Sequence, residues 1–240
     1  MEYEQGNFIM HGVTEDSPNR IKTPEELIAC VDEQGFLPLF KNKVPGFSLE
    51  ERTVGYHWWS DDPEKDPWMW REIVADSGQA VYGKFFDKKA GFISLKWFPA
   101  FANVRRDGYD FDARWDDEKA NIRLKRIMDC FESGEERFSC ELKQLAGFGK
   151  GGEKNFEGCL TELQMLTYLV VRDFRCRRNK HGEPYGWPIA VYTPPERRWG
   201  EDFVTAGYAE EPARSRERIS AHLKSVYPLI NDEQIKKLLR

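Results

Sequence analysis

The densest chemistry-bearing stretch of the chain is Arg172-Asp-Phe-Arg-Cys-Arg-Arg-Asn-Lys-His181, which gathers Arg172, Arg175, Arg177, Arg178 and Lys180 and ends on His181. Guanidinium and ammonium groups at that density suit phosphate oxygens, which they grip by charge-assisted hydrogen bonds without reading base sequence. The bland alternative is a solvated strand face whose arginines pair with Asp173 or Glu183. Just upstream, Glu157, Thr161, Gln164, Met165 and Tyr168 recur at helical spacing, opposite an apolar side made of Phe156, Cys159, Leu160, Leu163 and Leu166. Thr161, Gln164 and Glu157 carry groups suited to base edges. Lys150 and Lys154, in the glycine-rich link before that helix, are further candidates for backbone contacts.

A second constellation is aromatic. Trp58, Trp59, Trp68 and Trp70 could stack on bases or line a pocket for an extruded base. The commoner use of tryptophans spaced along a helix is core packing. Elsewhere the signals for chemistry are weak. Asp107, Asp110, Asp112, Asp116 and Asp117 crowd together without the glycine and terminal glutamate of a calcium loop, which favours a solvated loop with capping aspartates. The four histidines are scattered with no His-Glu-x-x-His pair, and the five cysteines lack Cys-x-x-Cys spacing. Neither a metal nor a cofactor is expected.

The elements that must position these groups are legible as helices followed by hairpins. Lys119–Glu132 is amphipathic, with Ile122, Ile127 and Phe131 near one face, and Ser133-Gly134 ends it. Glu141–Ala146 is a short helix capped by Ser139, and Phe156–Leu166 is the third. Tyr168–Arg178 and Trp187–Thr193 then form a β-hairpin with its tip at Asn179–Gly186, and Pro188 argues that the return strand lies at an edge or begins after it. Helix, turn, helix and hairpin in this order describe a winged helix-turn-helix with a basic wing.

The first half repeats the theme loosely. Thr23 caps a helix with Pro24 at its first position and Glu26 completing a capping box, and Gly35 ends it. Asp66-Pro67 starts another that Gly78 ends, and Gln79–Phe86 with Ala90–Ile93 reads as a hairpin. Residues 1–19 show no periodicity and read as a tail or strap. The expected fold class is therefore α+β, with two winged helix-turn-helix units in tandem, mostly helical with short hairpin wings. The expected units are residues 20–110, residues 115–200 with the basic wing, and a helical extension over 201–240. The extension either packs back on the domain or forms a homodimer.

Composition bounds the partners. A formal net charge of −5 excludes a protein that coats nucleic acid indiscriminately, so DNA contact must come from a local patch. No apolar run is long enough to span a bilayer, and the polar start has no signal-peptide form, which predicts a cytoplasmic protein with no membrane partner.

Five segments carry a resemblance: Arg20-Ile-Lys-Thr-Pro-Glu-Glu-Leu-Ile28, Gly35-Phe-Leu-Pro-Leu-Phe40, Asp66-Pro-Trp-Met-Trp-Arg71, Tyr82-Gly-Lys-Phe-Phe86 and Gly147-Phe-Gly-Lys-Gly-Gly-Glu-Lys-Asn-Phe156. With them the chain resembles the AlkZ-related winged-helix proteins, bacterial relatives of the monofunctional DNA glycosylases that excise alkylated or crosslinked bases. The resemblance runs to about Trp199 and implies tandem winged helices, double-stranded DNA as partner and a place in DNA repair. Those glycosylases use a Gln-x-Gln or Gln-x-Asp pair soon after the first helix. Here that region reads Glu33-Gln-Gly-Phe-Leu-Pro-Leu39, no such pair occurs anywhere, and Glu33 and Gln34 are the remaining catalytic candidates. Shared fold does not transfer a reaction. The expectation is thus a DNA-binding winged-helix protein, with a glycosylase as the alternative and a protein-docking winged helix as the third reading.

Overall fold

The computed structural model describes residues 2–4 and 7–240, with side chains described from Ile9 onward. Met1, Gln5 and Gly6, part of the expected tail, lie outside the described residues. Strands β1 (Glu2–Glu4) and β2 (Asn7–Ile9) pair antiparallel in a small sheet of their own.

Helix α1 (Pro24–Gln34) starts as its sequence dictates. The Thr23 hydroxyl accepts the Glu26 N–H at 3.2 Å, and the Glu26 carboxylate accepts the N–H of Lys22, one residue before the cap. Gly35 ends it at φ +80°, where an added Cβ would collide with the Trp97 ring at 2.6 Å. Strand β3 (Phe36–Pro38), helix α2 (Pro67–Ser77), the hairpin β4 (Ala80–Phe86) and β5 (Lys89–Ser94), and helix α3 (Phe98–Arg106) follow. The aspartate-rich stretch holds the expected capping aspartate but more helix than a loop would: Asp110 caps helix α4 (Phe111–Asp116) by accepting the Ala113 N–H at 2.7 Å, and Asp112 and Asp116 lie within it.

The middle of the chain forms α5 (Ile122–Met128), β6 (Arg137–Phe138), α6 (Ser139–Leu145) and α7 (Phe156–Met165). Ser139 is the first helical residue of α6 and not its cap; the Glu141 carboxylate instead accepts the Phe138 N–H at 3.1 Å. Ile122 is exposed, while Leu124, Ile127 and Phe131 carry the buried face. Strands β7 (Val170–Arg178) and β8 (Pro184–Thr193) make the second hairpin, longer than the short wing expected. Short helices α8 (Pro195–Trp199) and α9 (Glu201–Thr205) lead into α10 (Pro212–Val226) and α11 (Asp232–Leu238).

Six strands form one antiparallel sheet in the order β3-β5-β4-β7-β8-β6, because Tyr82 on β4 pairs with Val171 on β7. The two hairpins are thus edge-to-edge neighbours. Alternation along the strands sends side chains to opposite faces. Leu37, Tyr82, Phe92 and Val171 join a core with α1, α2, α5, α6 and α7. Phe36, Val81, Ile93 and Val170 join a second core with α3, α10 and α11. Burial on both faces explains why these strands read as nearly continuous apolar runs.

The last two helices belong to that second layer. Ile219, Leu223, Ile235 and Leu238 are buried within the chain. The Asn103 amide on α3 donates to the Gly207 carbonyl at 2.7 Å and the Ser215 hydroxyl at 3.0 Å. Arg105 donates to the Phe85 and Leu238 carbonyls, each at 2.7 Å.

Candidate nucleic-acid interface

The outer half of the β7–β8 hairpin extends past its neighbours. β4 touches β7 at Val171, and β6 touches β8 at Val191 and Tyr192. Pro188 therefore lies where β8 has no outer neighbour, as a residue without an N–H requires. Register shifts at Arg172 and again between Arg175 and Arg177 twist this arm. Its tip is held by Asn179, whose side-chain oxygen accepts the N–H groups of His181 at 2.8 Å and Glu183 at 3.1 Å.

The arginines divide into two groups. At the root, Arg172 reaches Asp76 and Glu136 at 3.1 Å each, and Arg175 reaches Glu136 and Asp173 at 2.6 Å each. That is the ion-paired alternative, realised for these two residues with Glu136 in place of Glu183. Glu183 instead accepts from Asn179. Arg177, Arg178, Lys180 and His181 are exposed, and among the described residues none of them has an acidic partner. Arg177 stacks 4.9 Å over the Tyr185 ring, and Arg178 donates to the Gly182 carbonyl at 2.6 Å. Beside them Trp187 is 89 % exposed, an unusual state for an indole.

The α7 face expected to meet bases is partly covered. Gln164 is buried, not exposed: its Oε1 accepts the Lys84 N–H at 3.1 Å and its amide donates to the Leu160 carbonyl at 3.1 Å. Strand β4 of the first hairpin packs on that side of the helix, which is why the spacing misassigned it. Tyr168 is buried as well, its hydroxyl donating to the Tyr109 carbonyl at 2.9 Å. Thr161 and Met165 are half-buried, and Glu157, Lys150 and Lys154 are exposed.

The four tryptophans do not form one pocket. Trp70 and Trp58 are core, donating to the Glu64 carbonyl at 2.8 Å and the Thr53 hydroxyl at 2.9 Å. Trp59 is partly exposed. Trp68 alone of the four lines a cavity of about 510 Å³ at the seam between the two hairpins. There the Arg71 guanidinium lies between two rings, 3.9 Å from Trp68 and 4.1 Å from Phe174. Tyr82, Tyr192 and Gln164 complete the wall. Burial pushes the Tyr82 hydroxyl up to about 12, so it stays a neutral donor. Arg71 was not singled out by sequence; its place one turn after Trp68 was the available signal.

Glu33 is exposed and away from this cavity's wall. Gln34 is occupied: its Oε1 accepts the Tyr227 hydroxyl, and its carbonyl lies 2.9 Å from His222 Nε2. Leu37 and Leu39 are buried. The two weak catalytic candidates therefore do not converge on the cavity.

No helix among the described residues is long and apolar enough to cross a membrane. No curated protein and no solved structure matches the chain. A family model described as AlkZ related matches residues 21–240, so the likeness extends through α10 and α11 and does not stop near Trp199. The chain belongs to the AlkZ-related family.

Proposed function

We propose that this protein binds double-stranded DNA as a winged-helix protein whose wing is the β7–β8 hairpin. The observation that carries the reading is the hairpin tip, where Arg177, Arg178, Lys180 and His181 stand exposed without an ion-pair partner among the described residues, in a chain of net charge −5. Such a tip would supply phosphate and minor-groove contacts, and the exposed Lys150 and Lys154 in the link before α7 would add backbone contacts of their own. Two winged units, residues 20–110 and 115–200, would share the central sheet, with 201–240 bracing the first. Family membership supports a repair context of the glycosylase kind.

The test is a duplex-DNA titration at several salt concentrations. The triple variant Arg177→Ala/Arg178→Ala/Lys180→Ala is expected to lower affinity at every salt and to flatten the log–log salt slope by about 3. Unchanged affinity and slope would remove the wing from the interface.

Base excision is the second reading, favoured by the family and by the aromatic cavity at Trp68. It requires a group that polarises water and stabilises a cationic sugar. The wall of the cavity offers the Gln164 amide, already spent on Lys84 and Leu160, and no carboxylate. Binding without base cleavage is therefore preferred. Abasic-site formation in alkylated duplex incubated with the protein would reverse that preference.

A further inference from the structure

The cavity at the root of the wing has a charge character opposite to that of the whole chain. Lys41, Arg71, Lys84 and Lys89 line it and no acidic residue does. Among the described residues none of the three lysines has an ion-pair partner. Arg71 is 6 % exposed and reaches Glu72 at 3.1 Å through Nη2, while its Nε is buried with no hydrogen-bond partner among the described residues. A buried guanidinium with unspent donors is costly unless acceptors come from elsewhere. The walls around it are flat and apolar: Trp68 and Phe174 on its two sides, Tyr82 and Tyr192 beyond.

We propose that this cavity binds a 5′-phosphorylated nucleoside, with the phosphate on Arg71 and the lysines and the base against the aromatic wall. A phosphate monoester carries about −1.5 to −2 charges at neutral pH and three strong acceptor oxygens. That matches an arginine fork joined by three ammonium groups better than a carboxylate does. Aromatic walls accept any base, since every base has a π-face. The volume, about 510 Å³, lies in the range of small-molecule sites. The same cations oppose a positively charged sugar, so the cavity is built to hold a nucleotide and not to cleave its glycosidic bond.

Two sources supply this chemistry: a free mononucleotide, or the terminal nucleotide of a DNA strand. The second is within reach of the wing, because β7 gives Phe174 to the cavity and Arg177 to the tip. The free-nucleotide reading stands whether or not the wing binds duplex, whereas the strand-end reading draws on both.

Calorimetric titration of the full chain with deoxyadenosine monophosphate, deoxyadenosine and inorganic phosphate tests the cavity by itself. Anisotropy with blunt duplexes carrying a 5′-phosphate or a 5′-hydroxyl tests the strand end. A preference for the phosphorylated partner of roughly tenfold or more is expected in at least one pair. If it is seen with the mononucleotide, the free ligand is the source; if seen only with the duplex, the strand end is. Arg71→Lys should weaken the preferred ligand roughly 10- to 100-fold, as loss of charge-assisted hydrogen bonds does. Because Arg71 is buried, Lys84→Glu/Lys89→Glu at the rim is the second variant, expected to abolish the preference with an unchanged melting curve. Equal binding of phosphorylated and unphosphorylated probes, or a preference that survives both variants, overturns the proposal. Duplex affinity that depends on Arg177, Arg178 and Lys180 in the same preparation leaves the wing reading standing.

Discussion

Gln164 on α7 and Lys84 on β4 are joined across the seam between the two hairpins: the Gln164 side-chain carbonyl accepts the Lys84 main-chain N–H at 3.1 Å. A helix face with the right groups for reading bases is thereby committed to holding the first hairpin. Two consequences follow for DNA recognition. If the proposed duplex binding holds, α7 can offer base edges only Glu157 and the half-buried Thr161 and Met165, and the exposed arm of β7–β8 would carry most of the contact.

Gln164→Ala should therefore act on stability and not on DNA affinity. It leaves the Lys84 N–H without its acceptor at a half-buried seam beside the cavity, a loss of about 1 kcal/mol. Urea unfolding measures the first effect and duplex titration the second. A variant that binds DNA tenfold more weakly at unchanged stability would put Gln164 back among the base-reading residues.

The root and tip of the wing should separate on substitution. Arg175→Ala removes the donors that satisfy Asp173, whose other carboxylate oxygen is already buried without a partner. The expected cost is about 1–3 kcal/mol, reduced from the buried-pair value because Arg175 is 45 % exposed. The salt slope of duplex binding should stay near that of the unaltered protein. Slopes reduced equally, relative to the unaltered protein, by Arg175→Ala and by a tip variant such as Arg177→Ala would show that both lie on the DNA.

The acid limb of stability should carry a signature of Glu210. The Ser215 hydroxyl at 2.7 Å and then the Arg218 guanidinium at 2.6 Å hold its carboxyl below the usual range. A folded-state pKa below the unfolded one stabilises above the unfolded value, near 4.5, and the contribution disappears as pH falls through the folded value. Glu210→Gln should lose less than about 1 kcal/mol at pH 7, the pair being largely solvated, and should converge with the parent as pH falls through the folded-state value. Unfolding curves from pH 7 to 3 decide it; a difference that grows toward low pH would reverse the sign.

Local rules made much of this fold legible. Thr23 with Pro24 and Asp66 with Pro67 mark helix starts by chemistry that acts over three residues. Gly35 and Gly78 end helices at positive φ for the same local reason. The antiparallel contact of Tyr82 with Val171 was not legible, because pairing between distant strands leaves no mark in either segment. Helical spacing found two sides of α7 without saying which one a strand 80 positions away would cover. Spacing shows the arm's cations as one run and cannot divide Arg172 and Arg175 from Arg177 and Arg178, since that division depends on Asp76 and Glu136. Arg71 carries no local mark of its place in the cavity, because its setting comes from Phe174 on a distant strand.

The C-terminal helices should prove integral to the fold. Leu223 on α10 is fully buried in the core that also holds Phe36, Phe101 and Ile219, on the sheet face opposite α1 and α2. Truncating it removes apolar contacts and leaves a cavity that a sheet and two helices cannot easily close, so Leu223→Ala is expected to cost about 2–5 kcal/mol. An extension serving only a dimer would behave differently: the substitution would shift a monomer–dimer equilibrium, and stability would depend on protein concentration. Urea unfolding at concentrations a hundredfold apart, run beside size-exclusion chromatography, separates the two. A concentration-independent loss of the expected size assigns Leu223 to the chain's own core, and a melting point that climbs with concentration would assign it to an interface between copies.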